Sequence, residues 1–315
     1  MNFLYCFDSN YNLQGLSSIN SLICQSDSKL SIYIIHENPD SIVDKIKKIN
    51  KKNIHNIEIY KFINQNIKFP RVDGTHVSDA TYYRLFISEY LPEDIDFITY
   101  IDADILCLKE PTKSIQTIIH NMIQNNSPIA ALTESKGNKD DIERLNLNQI
   151  KYFNAGVLVI NMQLWNKKSE DNEFIDNLNY IKDKVLWWDQ DVLNFTFDGN
   201  YTELNMLLNY QIEPNKSFDT KKIEEEVIFL HYLGNTKPWS FNGLKNNYSK
   251  YYQEHYRKIE KSKYHLVSKN FKSDYYEFLK ILIFNFKEIE YKTAFVYESK
   301  KSLLKNLRNK LYKKS

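Results

Sequence analysis

Two aspartates, Asp102 and Asp104, follow directly on the apolar run Phe97–Ile101, with only Ala103 between them. Side chains alternate sides along an extended chain, so carboxylates at i and i+2 leave a strand together. Hard anionic oxygens in that arrangement suit Mg²⁺ or Mn²⁺, with a diphosphate completing the shell. A solvated turn has the same spacing, and so does the Asp-x-Asp of haloacid-dehalogenase-type phosphatases. In those phosphatases Thr or Val follows two residues after the second Asp, near the N-terminus. Leu106 holds that place here, at mid-chain, which weighs against a phosphatase.

Three further segments carry groups able to do chemistry. Glycine is scarce, 7 in 315 residues against an average of about 7%, so Gly156 beside the apolar run of Phe153-Asn-Ala-Gly-Val-Leu-Val-Ile invites a reason. The small pair Ala155-Gly156 lets backbone approach a ligand, and Asn154 can donate to and accept from hydroxyls; a turn before a strand is the plain alternative. In Trp187-Trp-Asp-Gln-Asp the tryptophans are either a core anchor before a helix cap or an apolar sugar platform beside hydroxyl-binding Asp189 and Gln190. His231, after the apolar run Val227–Leu230, opens His-Tyr-Leu-Gly-Asn-Thr-Lys-Pro-Trp. An imidazole there can be structural or a third metal ligand, and Lys237 can neutralise phosphate.

The elements that must position these groups alternate between strand and helix. Phe3–Phe7 reads as a buried strand ending at Asp8, Leu13–Ser26 as a helix, Leu30–His36 as a strand and Ser41–Asn50 as a helix. Ile57–Phe62 and Phe97–Ile101 continue the strands, with a helix over Ala80–Tyr90 between them; Ile129–Leu132 and Gly156–Asn161 add two more. Such alternation predicts an α/β fold, a mostly parallel sheet covered by helices on both faces. Ligands in such sheets sit beyond the carboxyl ends of the strands, where Asp8 and Asp102 lie.

Composition narrows the class. A 315-residue chain at 42% hydrophobic and 26% charged is long enough for one large domain or two small ones. Three cysteines are too few and too scattered for a disulfide framework or a cysteine-built zinc site, which favours a reducing compartment. The N-terminus, with Asp8 and no basic lead, does not read as a signal peptide, and no run reaches the roughly 18 apolar residues of a membrane span. The net charge of +2 conceals 18 Lys/Arg against 7 Asp/Glu from Phe241 onward. That basic end on an acidic body predicts an anionic partner.

Taken together, the four segments resemble glycosyltransferase family 8, the retaining transferases of the GT-A fold. The family's metal motif is matched by Asp102-Ala103-Asp104, its Asn-Ala-Gly strand by Asn154-Ala155-Gly156, and its H-x-x-G-x-x-K-P-W signature by His231 through Trp239, Gly234 included. The resemblance covers about residues 1–245. The Arg84 and Asp189-Gln190-Asp191 segments look most like bacterial lipopolysaccharide and lipooligosaccharide galactosyl- and glucosyltransferases; glycogenins differ after the Asp-Gln pair. It implies a Rossmann-like GT-A catalytic domain over 1–240 and a helical basic region over 241–315. It also implies a UDP-hexose donor (galactose or glucose) and a saccharide acceptor. The diphosphate would be bridged by Mn²⁺, with Mg²⁺ as the other option, on Asp102, Asp104 and His231. Asp8 and Asn10 would hold the uridine, and Arg84, Asn154, Asp189 and Gln190 the donor sugar, with Ala103, Ala155, Gly156 and Gly234 inside the donor-binding motifs. Lys237 would stabilise the leaving diphosphate, and His76 and Trp187 would border the acceptor. Gln190 is the position expected nearest the anomeric carbon. Since an amide is a poor nucleophile, front-face attack is favoured over double displacement, with Asp191 the fallback carboxylate.

A nucleotidyltransferase or a non-catalytic glycan- or nucleotide-binding module are the rival classes. The first wants a Gly-rich basic loop where Phe7-Asp-Ser-Asn stands, and the second need not keep all three metal ligands. No nucleic-acid partner is expected. From Lys300 to Ser315 there are seven Lys/Arg and no acid, with Leu303, Leu304, Leu307 and Leu311 at helical spacing. This predicts an amphipathic helix on an anionic membrane surface, on the cytoplasmic face, whose removal spares transfer to a soluble acceptor; a helix packed on the body and a disordered solubilising end are the plain alternatives.

Overall fold

The computed structural model describes residues 1–49, 53–64, 66–70, 78–134, 138–213, 217–245 and 248–312. In chain order the strands are β1 (Asn2–Phe7), β2 (Leu30–His36), β3 (Ile54–Lys61), β4 (Phe97–Ile101), β5 (Ile105–Cys107), β6 (Ile129–Thr133), β7 (Phe153–Asn161), β8 (Thr202–Glu203), β9 (Tyr210–Ile212) and β10 (Phe229–Tyr232). They form a seven-stranded sheet ordered β3-β2-β1-β4-β7-β6-β8 and a three-stranded sheet ordered β5-β10-β9. The large sheet is mostly parallel, as expected, but β7 runs antiparallel to both β4 and β6.

Both faces of the large sheet are buried, which is why its strands read as continuous apolar runs rather than alternating ones. Leu4, Cys6, Ile98, Tyr100, Leu158 and Ile160 point into one core. Phe3, Tyr5, Phe7, Ile101, Val157 and Val159 point into the other. β1 pairs with β4 in parallel, Leu4 opposite Tyr100, so Asp8 and Asp102 emerge along the same edge. β7 pairs with β4 in reverse, Ile101 opposite Val157, which lays Asn154–Gly156 beside the exit of β4. Asp102 N donates to Gly156 O at 2.9 Å. Strand β10 pairs with β5, His231 opposite Ile105, which brings the imidazole next to Asp104.

Three local expectations change. The helix expected over Ser41–Asn50 spans Asp40–Ile46. The strand expected over Gly156–Asn161 spans Phe153–Asn161, so the Asn-Ala-Gly triplet lies inside β7 and the alternative of a turn falls away. The helix expected over Ala80–Tyr90 is a 3₁₀-helix, Asp79–Glu89. Its residues Tyr82 to Ile87 are all buried, so a single apolar stripe does not define it. The three-residue repeat stacks side chains at i and i+3, and it turns Thr81 and Arg84 toward the same carboxylate, Asp189.

Beyond Trp239 the chain is mainly helical: Ser249–Ile259, Phe271–Lys280, a π-turn over Ile281–Asn285 and Lys292–Tyr312. This region has its own small core of Phe241, Tyr264, Leu266, Phe278, Ile281, Phe295 and Leu303. The four leucines expected on one face therefore divide. Leu303 is buried, while Leu304 is 53% and Leu311 64% exposed. No helix among the described residues is long and apolar enough to cross a membrane.

Candidate active site

A cleft of about 460 Å³ opens at the carboxyl edge of β1 and β4, a volume in the range of small-molecule sites. Asp102, Asp104 and His231 each offer it one ligand atom, all within 4.8 Å of one another. Among the described residues the buried Asp104 Oδ1 has no hydrogen-bond partner, and it lies 3.6 Å from His231 Nε2. A buried carboxylate oxygen without a donor is costly, and a cation between these groups removes that cost. Burial lowers His231 to about 4, so the imidazole is neutral at pH 7, as a ligand must be. Burial also pushes Asp102 up to about 7, with the Arg84 charge opposing and the Asp104 charge adding. The donor set, two carboxylates and one neutral imidazole, fits a divalent cation.

His231 is braced by a residue that the sequence does not single out. Asn209, fully buried just before β9, places its Oδ1 2.9 Å from His231 Nδ1. Its amide donates to Asn154 Oδ1 at 3.0 Å. With its nitrogen so engaged, its oxygen faces Nδ1–H and leaves the Nε2 lone pair toward Asp104. Such outer-shell partners fix the ring of a ligating histidine. Gly156 has its reason here as well. A Cβ on it would fall 2.4 Å from His231 Cε1, so the close approach is to the histidine ring, not to a ligand. Asn209→Ala is expected to weaken Mn²⁺ binding by about 10–100-fold, measured by calorimetry. Binding equal to the parent's would show that His231 needs no brace.

Lys237 also faces the cleft and holds Asp104 Oδ2 at 2.7 Å and the Tyr232 carbonyl. Against the cost of burial, chiefly this ammonium keeps Asp104 below the usual carboxylate range. Ala103 and Gly234, the latter at φ 70°, line the same end. Asp8 lines the cleft too, with its carboxylate capping the backbone N–H groups of Asn10 at 3.0 Å and Tyr11 at 3.2 Å. Asn10 itself is exposed outside the lining and donates to Asp8 Oδ2 at 3.0 Å.

Arg84 is buried beside Asp102, with Nη1 3.6 Å from Asp102 Oδ1. It ion-pairs Asp189, donates to Ala155 O at 2.5 Å and lies 4.2 Å over the Tyr100 ring. Gln190 Oε1 accepts from Ala155 N at 2.9 Å, and its amide donates to Tyr152 Oη at 3.3 Å. Asn154 Oδ1 accepts from Gly156 N at 3.0 Å and its amide donates to Glu134 at 3.2 Å. Arg84, Asn154, Asp189 and Gln190 all line the cleft, whereas Ala155 and Gly156 stand behind it. Trp187, 48% exposed, lines the rim with its indole N–H on Asp141 at 3.0 Å. His76 lies outside the described residues.

Asp191, like Asn10, Ala155 and Gly156, lies outside the cleft lining. It is fully buried away from the lining and accepts both terminal nitrogens of Arg144 at 2.9 Å, Tyr152 Oη at 2.7 Å, and Leu186 and Trp187 N–H. The carboxylates that line the cleft besides Asp102 and Asp104 are Asp8, Asp189, Glu134 and Glu213. The last two come from strand ends without motif character, so nothing in their sequence marked them.

Comparison with known proteins gives the same answer. The profile of glycosyl transferase family 8 matches residues 2–243. A lipopolysaccharide 1,2-glucosyltransferase of Escherichia coli is 28% identical over 246 residues, 74% of this chain and 71% of that one. A lipopolysaccharide 1,3-galactosyltransferase of Salmonella typhimurium is 26% identical over 250 residues, 76% of this chain and 72% of that one. Among solved structures, the galactosyltransferase LgtC with donor and acceptor sugar analogues superposes at a TM-score of 0.63 and 19% identity, covering 87% of this chain and 100% of that one. That likeness shows the fold, the GT-A arrangement expected from the motifs. The profile match along most of the length and the four motifs converging on one cleft agree: the chain belongs to glycosyl transferase family 8.

Proposed function

We propose that the enzyme transfers a hexose, galactose or glucose, from a UDP-sugar to a saccharide acceptor of the lipopolysaccharide type, with retention and with Mn²⁺ or Mg²⁺ as cofactor. The observation that carries this reading is the Asp102–Asp104–His231 cluster, with Lys237 beside it, at the carboxyl edge of the sheet. The relatives' lipopolysaccharide acceptors support the acceptor class. Asp102, Asp104 and His231 would hold the cation, which supplies Lewis-acid stabilisation of charge on the departing diphosphate.

The chain's own residues set the rest. Asp8, beyond β1 and in the cleft lining, would hold the nucleoside end. Asn154, Asp189 and Gln190 line the same cleft as Lys237 and Trp187 and would meet the sugar hydroxyls. The amide of Gln190 is held at both ends, which makes it an orienting group and keeps front-face attack the favoured route. With Asp191 removed from the cleft, the carboxylate beside Gln190 and Asn154 that could serve a double displacement is Glu134, raised above the usual carboxylate range chiefly by burial. UDP release measured over a panel of UDP-sugars, with and without Mn²⁺, tests the donor and the metal together. No release from any of them would refute the reading.

The basic C-terminal helix supports peripheral attachment to the cytoplasmic face of an anionic membrane. Lys305, Arg308 and Lys310 are exposed near Leu304, Leu307 and Leu311. Removing residues 300–315 is not the clean test that the sequence suggests, because Leu303 is core and Ser302 and Asn306 bond the Ser268 backbone. Replacing Lys305, Arg308 and Lys310 by glutamine is the better one. At about 1 kcal/mol per basic residue, liposome affinity should fall roughly a hundredfold, and rising salt should weaken the parent's binding. Unchanged partitioning onto anionic vesicles would refute the attachment.

A further inference from the structure

Lys269 lines the cleft with Lys237, although it lies beyond the stretch that the family profile matches, residues 2–243. Its position is built, not incidental. Asp274 Oδ2 accepts from Ser268 Oγ and Lys269 N at 2.8 Å and from Asn270 N at 2.9 Å. From the last helix, Ser302 Oγ accepts from Ser268 N at 2.9 Å and Asn306 donates to Ser268 O at 3.0 Å. On the catalytic side, Val267 N donates to Trp239 O at 2.9 Å, and Gln253 joins Pro238 O to the His265 backbone. Two helices and the Lys237-Pro238-Trp239 turn thus fix where the Lys269 backbone runs.

The two lysines are answered differently. Lys237 is paired with Asp104, whereas the Lys269 ammonium forms no ion pair among the described residues. Its surroundings first, and the Lys237 charge second, hold it below the usual lysine value, with Asp274 opposing. Lys269 is solvent-exposed, and two lysines lining one cleft, with only Lys237 answered by a carboxylate, favour an anion held between them.

We propose that Lys269 is the second cation for the donor's diphosphate, so that the C-terminal region completes the donor site; this rests on the nucleotide-sugar reading above. In transfer, the bond from the anomeric carbon to the β-phosphate oxygen breaks and its electron pair stays on that oxygen. A bond to the acceptor oxygen forms, the hydroxyl proton leaves to solvent, and the departing UDP gains one negative charge. A lysine within reach of the diphosphate binds this leaving group more tightly than the intact donor.

The test is calorimetric binding of UDP and of uridine, each with saturating Mn²⁺, to the full-length parent, Lys269→Met, Lys269→Arg and the control Lys272→Met. A charge-assisted contact at the rim predicts about tenfold weaker UDP binding in Lys269→Met. Uridine binding should be unchanged, Lys269→Arg should retain most of the affinity, and Lys272→Met should match the parent. Parent-like UDP binding by Lys269→Met overturns the proposal and leaves the nucleotide-sugar reading standing. Equal losses for UDP and uridine would make Lys269 structural, and a rise confined to the acceptor KM would place it on the acceptor; either overturns the proposal. A parent that binds no UDP overturns both readings.

Discussion

Asp104→Asn is expected to lower transfer by roughly two to three orders of magnitude, the scale of several kcal/mol of charge stabilisation lost with a metal site, while the protein stays folded. The reason lies in what each oxygen of Asp104 does. Oδ2 holds Lys237 at 2.7 Å, which an amide oxygen can still do in part. Oδ1 is buried without a partner, and an amide there brings neither charge nor a cation ligand of comparable strength. Asp102→Asn should act alike on catalysis. A readout independent of turnover is available. A ligand that binds only the folded state, at 100 times its Kd, stabilises by about 2.7 kcal/mol, which for a chain of this size raises Tm by several degrees. Mn²⁺ should produce that shift in the parent and not in either variant. If the variants keep both the shift and near-parent turnover, the three residues do not hold the cation.

The parts of this site that were legible in the sequence are those where local chemistry and a strand end coincide. Strand β4 stops at Ile101 because an apolar run meets Asp102, but a turn closed by Ile105 N on Asp102 O at 3.2 Å, not strand alternation, brings Asp104 beside Asp102. His231 was legible for the same reason, at the end of the apolar run that forms β10. What could not be read depends on contacts across the fold. Asn209 braces His231 across 22 residues, and Lys269 reaches the cleft through a loop tied to two later helices. Neither has a local pattern. The Asp189-Gln190-Asp191 run shows the limit most clearly. In the helix Trp188–Phe197 successive residues turn by about 100°, so the three side chains face Arg84, the Ala155 N–H and Arg144 in turn. The run and its resemblance assign all three to the site, whereas of the three the helix turns only Asp189 and Gln190 into the cleft lining.

That geometry gives Asp191 a large effect of a different kind. Its carboxylate is fully buried, and Arg144, on the helix Asn138–Leu145, meets it with two nitrogens at 2.9 Å while donating to Asp141 at 2.6 Å. Breaking a buried pair from one side leaves an uncompensated charge, at a cost of about 3–5 kcal/mol. Tyr152 Oη and two backbone N–H groups remain on Asp191, and the Arg144 side chain is itself 18% exposed, so water can enter. Arg144→Met should therefore fall near the lower end of that range. Asp191→Asn should cost somewhat less, since the amide keeps the shape and loses the charge. Because Asp191 anchors the Trp187 N–H and Asp141 the Trp187 indole, both variants should raise the acceptor KM more than they lower kcat, measured well below their Tm. Urea unfolding checks the stability and steady-state kinetics the split. A folded, undiminished Asp191→Asn without turnover would make that carboxylate a nucleophile after all.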